Sequence, residues 1–446
     1  MNIVICGAGE VGRHAAEVLG ADGSNITIID HSAGKLAALE EGLDVRVMHG
    51  NGVHAEVLRE AGVDKADLFL AATNIDEVNL LAAAVAKGVG ARRVIARVHH
   101  SAYYENRGLD YAKTLGIDRL VCPEYTTAVA IAQMLRSPGV LAMERFARGR
   151  LEVQQLPVAD NAPAIGKTLA ALGLPTAARL ASVERDGAAF IPDRSTEIKA
   201  KDVVTLIGEV DVFQKAFSLF DPSASRRKRV MVVGGTSMGV WLCRALRSRS
   251  FSVRLFEDDR ERAEELAEKL DWVTVLRADA ADSAIFDDER VDQVDAFVAL
   301  TDHDEHNILA AARAKAMGAK LAVAVLQRST YLHLLSHVGI DRAFSPRSTA
   351  VNELQLMLDE SPVRHLASLA VGIADVYEVT LPNHQTDITG KPLKELKFPS
   401  NAMLAAIERD EEVWVPSATD RLEPSDTVIL IGPADMTRKL EKYFGV

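Results

Sequence analysis

The sequence predicts an α/β chain built as a tandem duplication: two Rossmann-like, doubly wound parallel sheets, each followed by a small α+β module. Three observations carry this. A βα alternation opens the chain, a glycine motif directly follows its first strand, and the same pattern returns about half-way along. A chain of 446 residues is also too long for one ordinary core.

The alternation comes first. Apolar runs near Asn2–Cys6, Asn25–Asp30, Val45–Met48, Leu68–Ala72, Arg93–Val98 and Leu120–Cys122 read as strands. Helical patterns lie between them, such as Leu80, Ala83, Ala84 and Val85 after Asp76. Strands alternating with helices imply a parallel sheet covered on both faces. Ala, Val, Leu and Ile supply the apolar content, with aromatics only 5%.

The duplication is held in register along its length. Gly7-Ala8-Gly9-Glu10-Val11-Gly12 corresponds to Gly234-Gly235-Thr236-Ser237-Met238-Gly239, and Thr73 and Asn79 correspond to Thr301 and Asn307. Glu184-Arg185-Asp186 corresponds to Glu408-Arg409-Asp410, and Phe220 to Phe444. A Pro/Ser/Arg stretch, Asp221 to Arg229, reads as the linker, with Arg226-Arg227-Lys228-Arg229 as a solvated basic run. The expected segments are 1–136 and 230–358 for the Rossmann lobes and 140–220 and 372–446 for the modules. In the first module, Val153, Gln155 and Leu156 open a strand. Gly166 to Leu172 fits a turn or two of helix, and Ala181–Glu184, Ala189–Ile191 and Val203–Ile207 read as short strands with turns at Asp186-Gly187 and Pro192-Asp193.

Gly7-x-Gly9-x-x-Gly12 stands in the context that gives a glycine motif meaning, after a strand and opening a helix. Gly7 permits the tight turn, Gly9 lets backbone approach a pyrophosphate, and Gly12 lets helix pack on strand. Phosphate oxygens would then meet free N–H groups at the positive end of the helix. Asp30 ends the second strand, 23 positions after Gly7. A carboxylate there accepts ribose hydroxyls and repels a 2′-phosphate, which favours NAD over NADP. Ala8, Glu10 and Val11 complete the loop and first helical turn. Asn51, Thr73, Asn74 and Arg97 follow the third, fourth and fifth strands, at the ligand-binding edge of such sheets. Asn51 also reads as a turn residue, and Arg97 as half of an ion pair. In the second copy Gly234, Gly235, Ser237 and Met238 keep the loop and Glu257 supplies the acid, but Thr236 replaces the middle glycine and crowds the pyrophosphate position.

The remaining composition narrows the function. A net charge of −12 does not steer toward nucleic acid or anionic lipid. Cys6, Cys122 and Cys243 form no C-x-x-C pair, so no disulfide framework or structural zinc is expected. The start lacks the charged region of a signal peptide, and no apolar run approaches the roughly 20 residues that span a bilayer. His99, His100, His303 and His306 read as polar loop residues, and Asp302 and Asp304 as a helix cap and first turn. No catalytic residue, metal ligand set, Walker A, G-x-S-x-G or H-E-x-x-H motif is identified.

Three segments resemble the TrkA family: Ile3 to Gly12, Leu58-Arg59-Glu60-Ala61-Gly62-Val63-Asp64-Lys65-Ala66-Asp67, and Ile95-Ala96-Arg97. The resemblance covers essentially the whole chain. It implies tandem potassium-conductance (RCK, or KTN) domains, with NAD held by Gly7 to Val11, Asp30, Thr73, Asn74 and Arg97. The second-copy equivalents are Gly234 to Met238 and Glu257. It further implies a non-enzymatic regulator of bacterial potassium uptake that responds to NAD(H) and ATP. Such a protein is cytoplasmic and peripheral on the inner membrane, docks on a potassium-translocating subunit of the TrkH/TrkG type, and forms a ring-like homo-oligomer. An NAD-dependent oxidoreductase and a regulator of potassium efflux or antiport remain the alternatives.

Overall fold

The structure is a computed structural model. It describes the chain except residues 22, 106–107, 137–141, 147–150, 176–177, 187, 191, 210–214, 223–226, 280–285, 287, 329–330, 332–334, 336, 359–360, 370–373, 400–401, 411 and 434. Two compact units form, one from Met1–Gln133 with Arg227–Leu358 and one from Met134–Arg226 with Asp359–Val446.

The first unit holds two lobes. In the first lobe β1 (Asn2–Cys6), β2 (Asn25–Asp30), β3 (Arg46–His49), β4 (Leu68–Ala71), β5 (Arg93–Arg97) and β6 (Arg119–Val121) make a parallel sheet ordered β3-β2-β1-β4-β5-β6. The strands follow their sequence: Ile3, Ile5, Leu68 and Leu70 are buried because helices cover both faces. The covering helices are α1 (Glu10–Ala21), α2 (Ala33–Glu40), α3 (Ala55–Glu60), α4 (Asp76–Val89), α5 (Ser101–Tyr104), α6 (Tyr111–Leu115) and α7 (Pro123–Arg136). The strand order reverses across the sheet between β1 and β4, the position at whose carboxyl ends doubly wound sheets bind ligands.

The second lobe repeats this. Its strands β12 (Lys228–Val233), β13 (Phe251–Glu257), β14 (Thr274–Arg277), β15 (Ala296–Ala299), β16 (Ala322–Val325) and β17 (Arg342–Phe344) are ordered β14-β13-β12-β15-β16-β17. Its helices are α8 (Ser237–Ala245), α9 (Arg260–Lys269), α10 (Asp304–Ala316) and α11 (Pro346–Leu358). The end of the expected linker is strand: Lys228 and Arg229 open β12, with Lys228 over the Phe251 ring and Arg229 donating to Gln293. Arg226 lies outside the described residues. Helix α11 packs on the first lobe, where Ala350, Val351 and Leu354 join the core of Ile3, Ile5, Ala15 and Leu39. In turn Tyr125 of α7 meets Trp241 of α8 edge-on at 5.6 Å.

In the second unit β7 (Ala142–Phe146), β8 (Leu151–Pro157), β9 (Ala178–Arg185), β10 (Ala188–Phe190) and β11 (Val203–Glu209) form an antiparallel sheet ordered β10-β9-β11-β8-β7. β18 (Val363–Leu369), β19 (Ala374–Thr380), β20 (Met403–Arg409), β21 (Glu412–Trp414) and β22 (Thr427–Gly432) repeat that topology, followed by α12 (Thr437–Phe444). Val153, Ala181 and Ile207 of one sheet share a core with Val376, Ala406 and Ile429 of the other. Strand β18 lies upstream of residue 372, where the sequence placed the start of this module; Arg364 and His365 side by side break the alternation that marks a strand. The helical turn expected over Gly166 to Leu172 is a short 3-10 turn, Leu169–Ala171. Of the turn at Asp186-Gly187, Gly187 lies outside the described residues and Asp186 adopts φ +53°.

Candidate functional site

The three glycines after β1 meet three different constraints. Gly7 sits at φ +115°, and a Cβ there would stand 2.8 Å from the Ala72 carbonyl at the end of β4. A Cβ on Gly12 would lie 2.0 Å from the Gly7 oxygen. Gly9 has no heavy atom within 4 Å of its would-be Cβ, so the space in front of the α1 N-terminus is open. Gly7 and Gly12 therefore build the loop, while Gly9 leaves room at its mouth. The loop is tied to β2 by Asp30, which is 8% exposed. Its Oδ2 accepts the Ala8 N–H at 2.7 Å and its Oδ1 the Ser32 N–H at 2.8 Å. Each carboxylate oxygen keeps a further lone pair, enough to accept a ribose hydroxyl. Ala8 and Val11 are buried, whereas Glu10 is exposed and pairs with Arg347 of the second lobe at 2.7 Å.

The other expected positions divide by role. Thr73, at the end of β4, is held by Asn79, a fully buried side chain that sequence reading used only to mark the repeat. Asn79 Oδ1 accepts from the Thr73 N–H and hydroxyl, and its Nδ2 donates to the Thr73 and Arg97 carbonyls. One amide thus joins the ends of β4 and β5. Asn74 is exposed beside it. Asn51 forms a turn, its Oδ1 accepting the Val53 N–H at 3.2 Å. The Arg97 side chain lies at the sheet edge, 15% exposed, and donates to Glu124 at 2.8 Å. Asp76, also unmarked in the sequence reading, accepts the N–H groups of His99 and His100 and the His99 ring. Burial pushes the Asp76 carboxyl up, but the hydrogen bonds from the His99 ring and the two amides outweigh it and hold the group below its ordinary value.

The second lobe keeps the frame and changes the mouth. A cleft of about 210 Å³ is lined by Thr236, Glu257, Asp258, Asp279, Thr301 and His306, among others. Glu257 Oε2 accepts the Gly235 N–H at 2.7 Å, as Asp30 accepts that of Ala8. The longer acid needs the smaller partner, because a Cβ on Gly235 would lie 2.4 Å from Glu257 Oε2. Thr236 caps α8: its hydroxyl accepts the Gly239 N–H at 3.3 Å. It therefore takes one of the donors that a phosphate would use, besides adding bulk. Ser237 is exposed in the first turn and Met238 is buried. Asn307 repeats the four bonds of Asn79, with Val325 in place of Arg97. Asp304 stands in the first turn of α10, as expected, while the cap position falls on His303 rather than Asp302. Asp304 also has a further role. It is 3% exposed and accepts the Gln327 and Arg328 N–H groups after β16.

Among the described residues no three His, Cys, Asp or Glu side chains converge as a metal site, and no helix is long and apolar enough to cross a membrane. Cys6, Cys122 and Cys243 are buried, and burial pushes all three thiols up, Cys6 and Cys243 to about 12.

Comparison with known proteins agrees with this duplicated architecture. The TrkA-N domain model matches residues 3–123 and 230–346, and the TrkA-C domain model matches 153–221 and 376–445. A Trk system potassium uptake protein TrkA homolog from Archaeoglobus fulgidus is 35% identical, with all of both chains covered. The Trk system potassium uptake protein TrkA of Vibrio alginolyticus is 32% identical over 96% of this chain and 95% of its own. Among solved structures, the GsuK RCK domain superposes with a TM-score of 0.62 at 18% identity, covering 100% of this chain and 95% of that one. The GsuK channel bound to NAD gives the same TM-score and identity, covering 100% and 79%.

Proposed function

The chain belongs to the TrkA family, and from that premise we propose that it is the nucleotide-sensing regulatory subunit of a bacterial potassium uptake system. It binds NAD(H) in the first-lobe crevice and acts on a potassium-translocating membrane subunit of the TrkH/TrkG type from the cytoplasmic side. The observation that carries this reading is the contrast between the two clefts. Gly9 leaves the α1 N-terminus open beside a carboxylate at the ribose position, whereas Thr236 occupies the equivalent mouth. The relatives named as Trk potassium uptake proteins and the NAD bound to the GsuK channel support the same reading. In this role no chemical step is needed. A ligand that binds two arrangements of the assembly unequally shifts their populations by the ratio of its affinities. ATP competes for the same crevice through its adenosine.

The test is calorimetric titration of the full chain with NAD+, NADH, NADP+ and ATP, and with the Asp30→Asn variant. NADH should bind and be recovered unchanged, NADP+ should bind poorly, and Asp30→Asn should lose about ten-fold or more, the scale of a hydrogen bond to a charged group. Added to a reconstituted potassium transporter, the protein should make ion flux depend on NADH. Absence of nucleotide binding, or consumption of NADH with a metabolite, would overturn the reading.

A further inference from the structure

The first turn of α1 carries an unresolved electrostatic demand if a pyrophosphate docks there. Glu10 directly follows Gly9, so its carboxylate stands at the helix end whose N–H groups would take the phosphates. Two like charges there oppose each other. The structure supplies a cation from the other lobe. Arg347, in the first turn of α11, places Nη1 2.7 Å from Glu10 Oε2. Its side chain is 19% exposed, against 65% for Glu10. The pair lines a cleft of about 300 Å³ between the lobes, with Arg13, Glu17, Arg328 and Ser345. The neighbouring arginines have carboxylate partners of their own, Arg13 with Glu17 and Arg328 with Glu305. Arg97, expected from the sequence to face the phosphates, is held by Glu124. Arg347 is anchored, since Ala350, Val351 and Leu354 of the same helix lie in the first lobe's core.

We propose that Arg347 is a phosphate-binding residue of the first lobe's dinucleotide site, supplied by the second lobe, with Glu10 as its built-in competitor. The proposal rests on the reading of the first crevice given above. A guanidinium offers several donors and serves carboxylate and phosphate together or in turn. Binding in one lobe is thereby registered by a helix of the other.

The test uses the full chain and NADH, with Arg347→Gln, Arg347→Lys and Glu10→Gln. Arg347→Gln should weaken NADH about ten-fold, the scale of one charge-assisted hydrogen bond, and flatten the salt dependence of binding. Arg347→Lys should fall between it and wild type, because the charge remains without the fork. Glu10→Gln should tighten NADH. A contact that merely latches the lobes predicts instead that Arg347→Gln and Glu10→Gln shift affinity in the same direction, and that result overturns the proposal. So does wild-type affinity in Arg347→Gln. If wild type binds no NADH, the reading of the crevice falls and this falls with it. If Asp30→Asn weakens binding while the Arg347 variants do not, the crevice stands and only this inference is lost.

Discussion

Arg185 meets Asp202 with two hydrogen bonds of 2.8 Å, and Arg409 meets Asp426 in the same way at 2.7 and 2.9 Å. Both aspartates are 1% exposed, and each also accepts a backbone N–H, from Lys199 or Glu423. Burial alone pushes the Asp202 carboxyl up, but Arg185 and the Lys199 amide outweigh it, so the group is held below its ordinary value in the folded chain. A depressed folded value contributes stability that is complete above the unfolded value of about 4 and is lost as pH falls through the folded one. Wild type should therefore lose thermal stability in acid below about pH 4. Asp202→Asn should melt roughly 5 °C or more lower at pH 7, the scale of a broken buried pair, with a flatter acid limb. Coincident melting temperatures of wild type and variant across pH would show that the pair contributes nothing, and an offset that does not change with pH would show that Asp202 is not depressed in the folded chain. In the sequence the arginines stood out as repeat markers, but their partners, 17 residues on, did not.

At the scale of elements, α1 and α8 are the same helix with different mouths. Thr236→Gly should cost only a few tenths of a kcal/mol as a cap change, while opening the second mouth. Calorimetric stoichiometry for NADH should rise from one to two per chain; a value fixed at one would mean that Glu257 and its neighbours, not Thr236, close that cleft. The contrast was legible because glycine motifs carry their geometry locally: turn, approach and packing all lie within six residues. The central strands of the first sheet were legible for a similar reason, since a strand covered on both faces is an unbroken apolar run such as Ile3-Val4-Ile5. Less legible were residues whose function is to join distant strand ends. Asn79 stood out only as a repeat marker and proves to tie β4 to β5, and Asp304, read as part of a helix start, also holds the loop after β16. Arg97 left two readings open, and its partner Glu124 comes from the start of α7, which no local pattern connects to it. Strand β18 was missed because its polar residues do not alternate with its apolar ones.

In the whole molecule the duplication pairs like with like. Read along the chain it gives lobe, module, lobe, module; in the structure the two Rossmann lobes form one unit and the two modules the other. The lobes are joined through core and not only through surface, because α11 of the second half supplies Ala350, Val351 and Leu354 to the cluster around Ile3, Ala15 and Leu39. A core shared in this way makes a change in one half register in the other. Leu354 is 1% exposed, so Leu354→Ala should leave a cavity and destabilise by about 2–5 kcal/mol. The place of that loss is the informative part. Amide hydrogen exchange should quicken most in β1, α1 and α2, more than 300 residues away in sequence, while the β12–β16 amides of Leu354's own lobe change less. Faster exchange confined to the second lobe would mean that α11 belongs energetically to its own sheet and that the lobes fold independently. Faster exchange in the first lobe would mean that the tandem copies form one cooperative unit, as a nucleotide in one lobe must find if it is to act through the other.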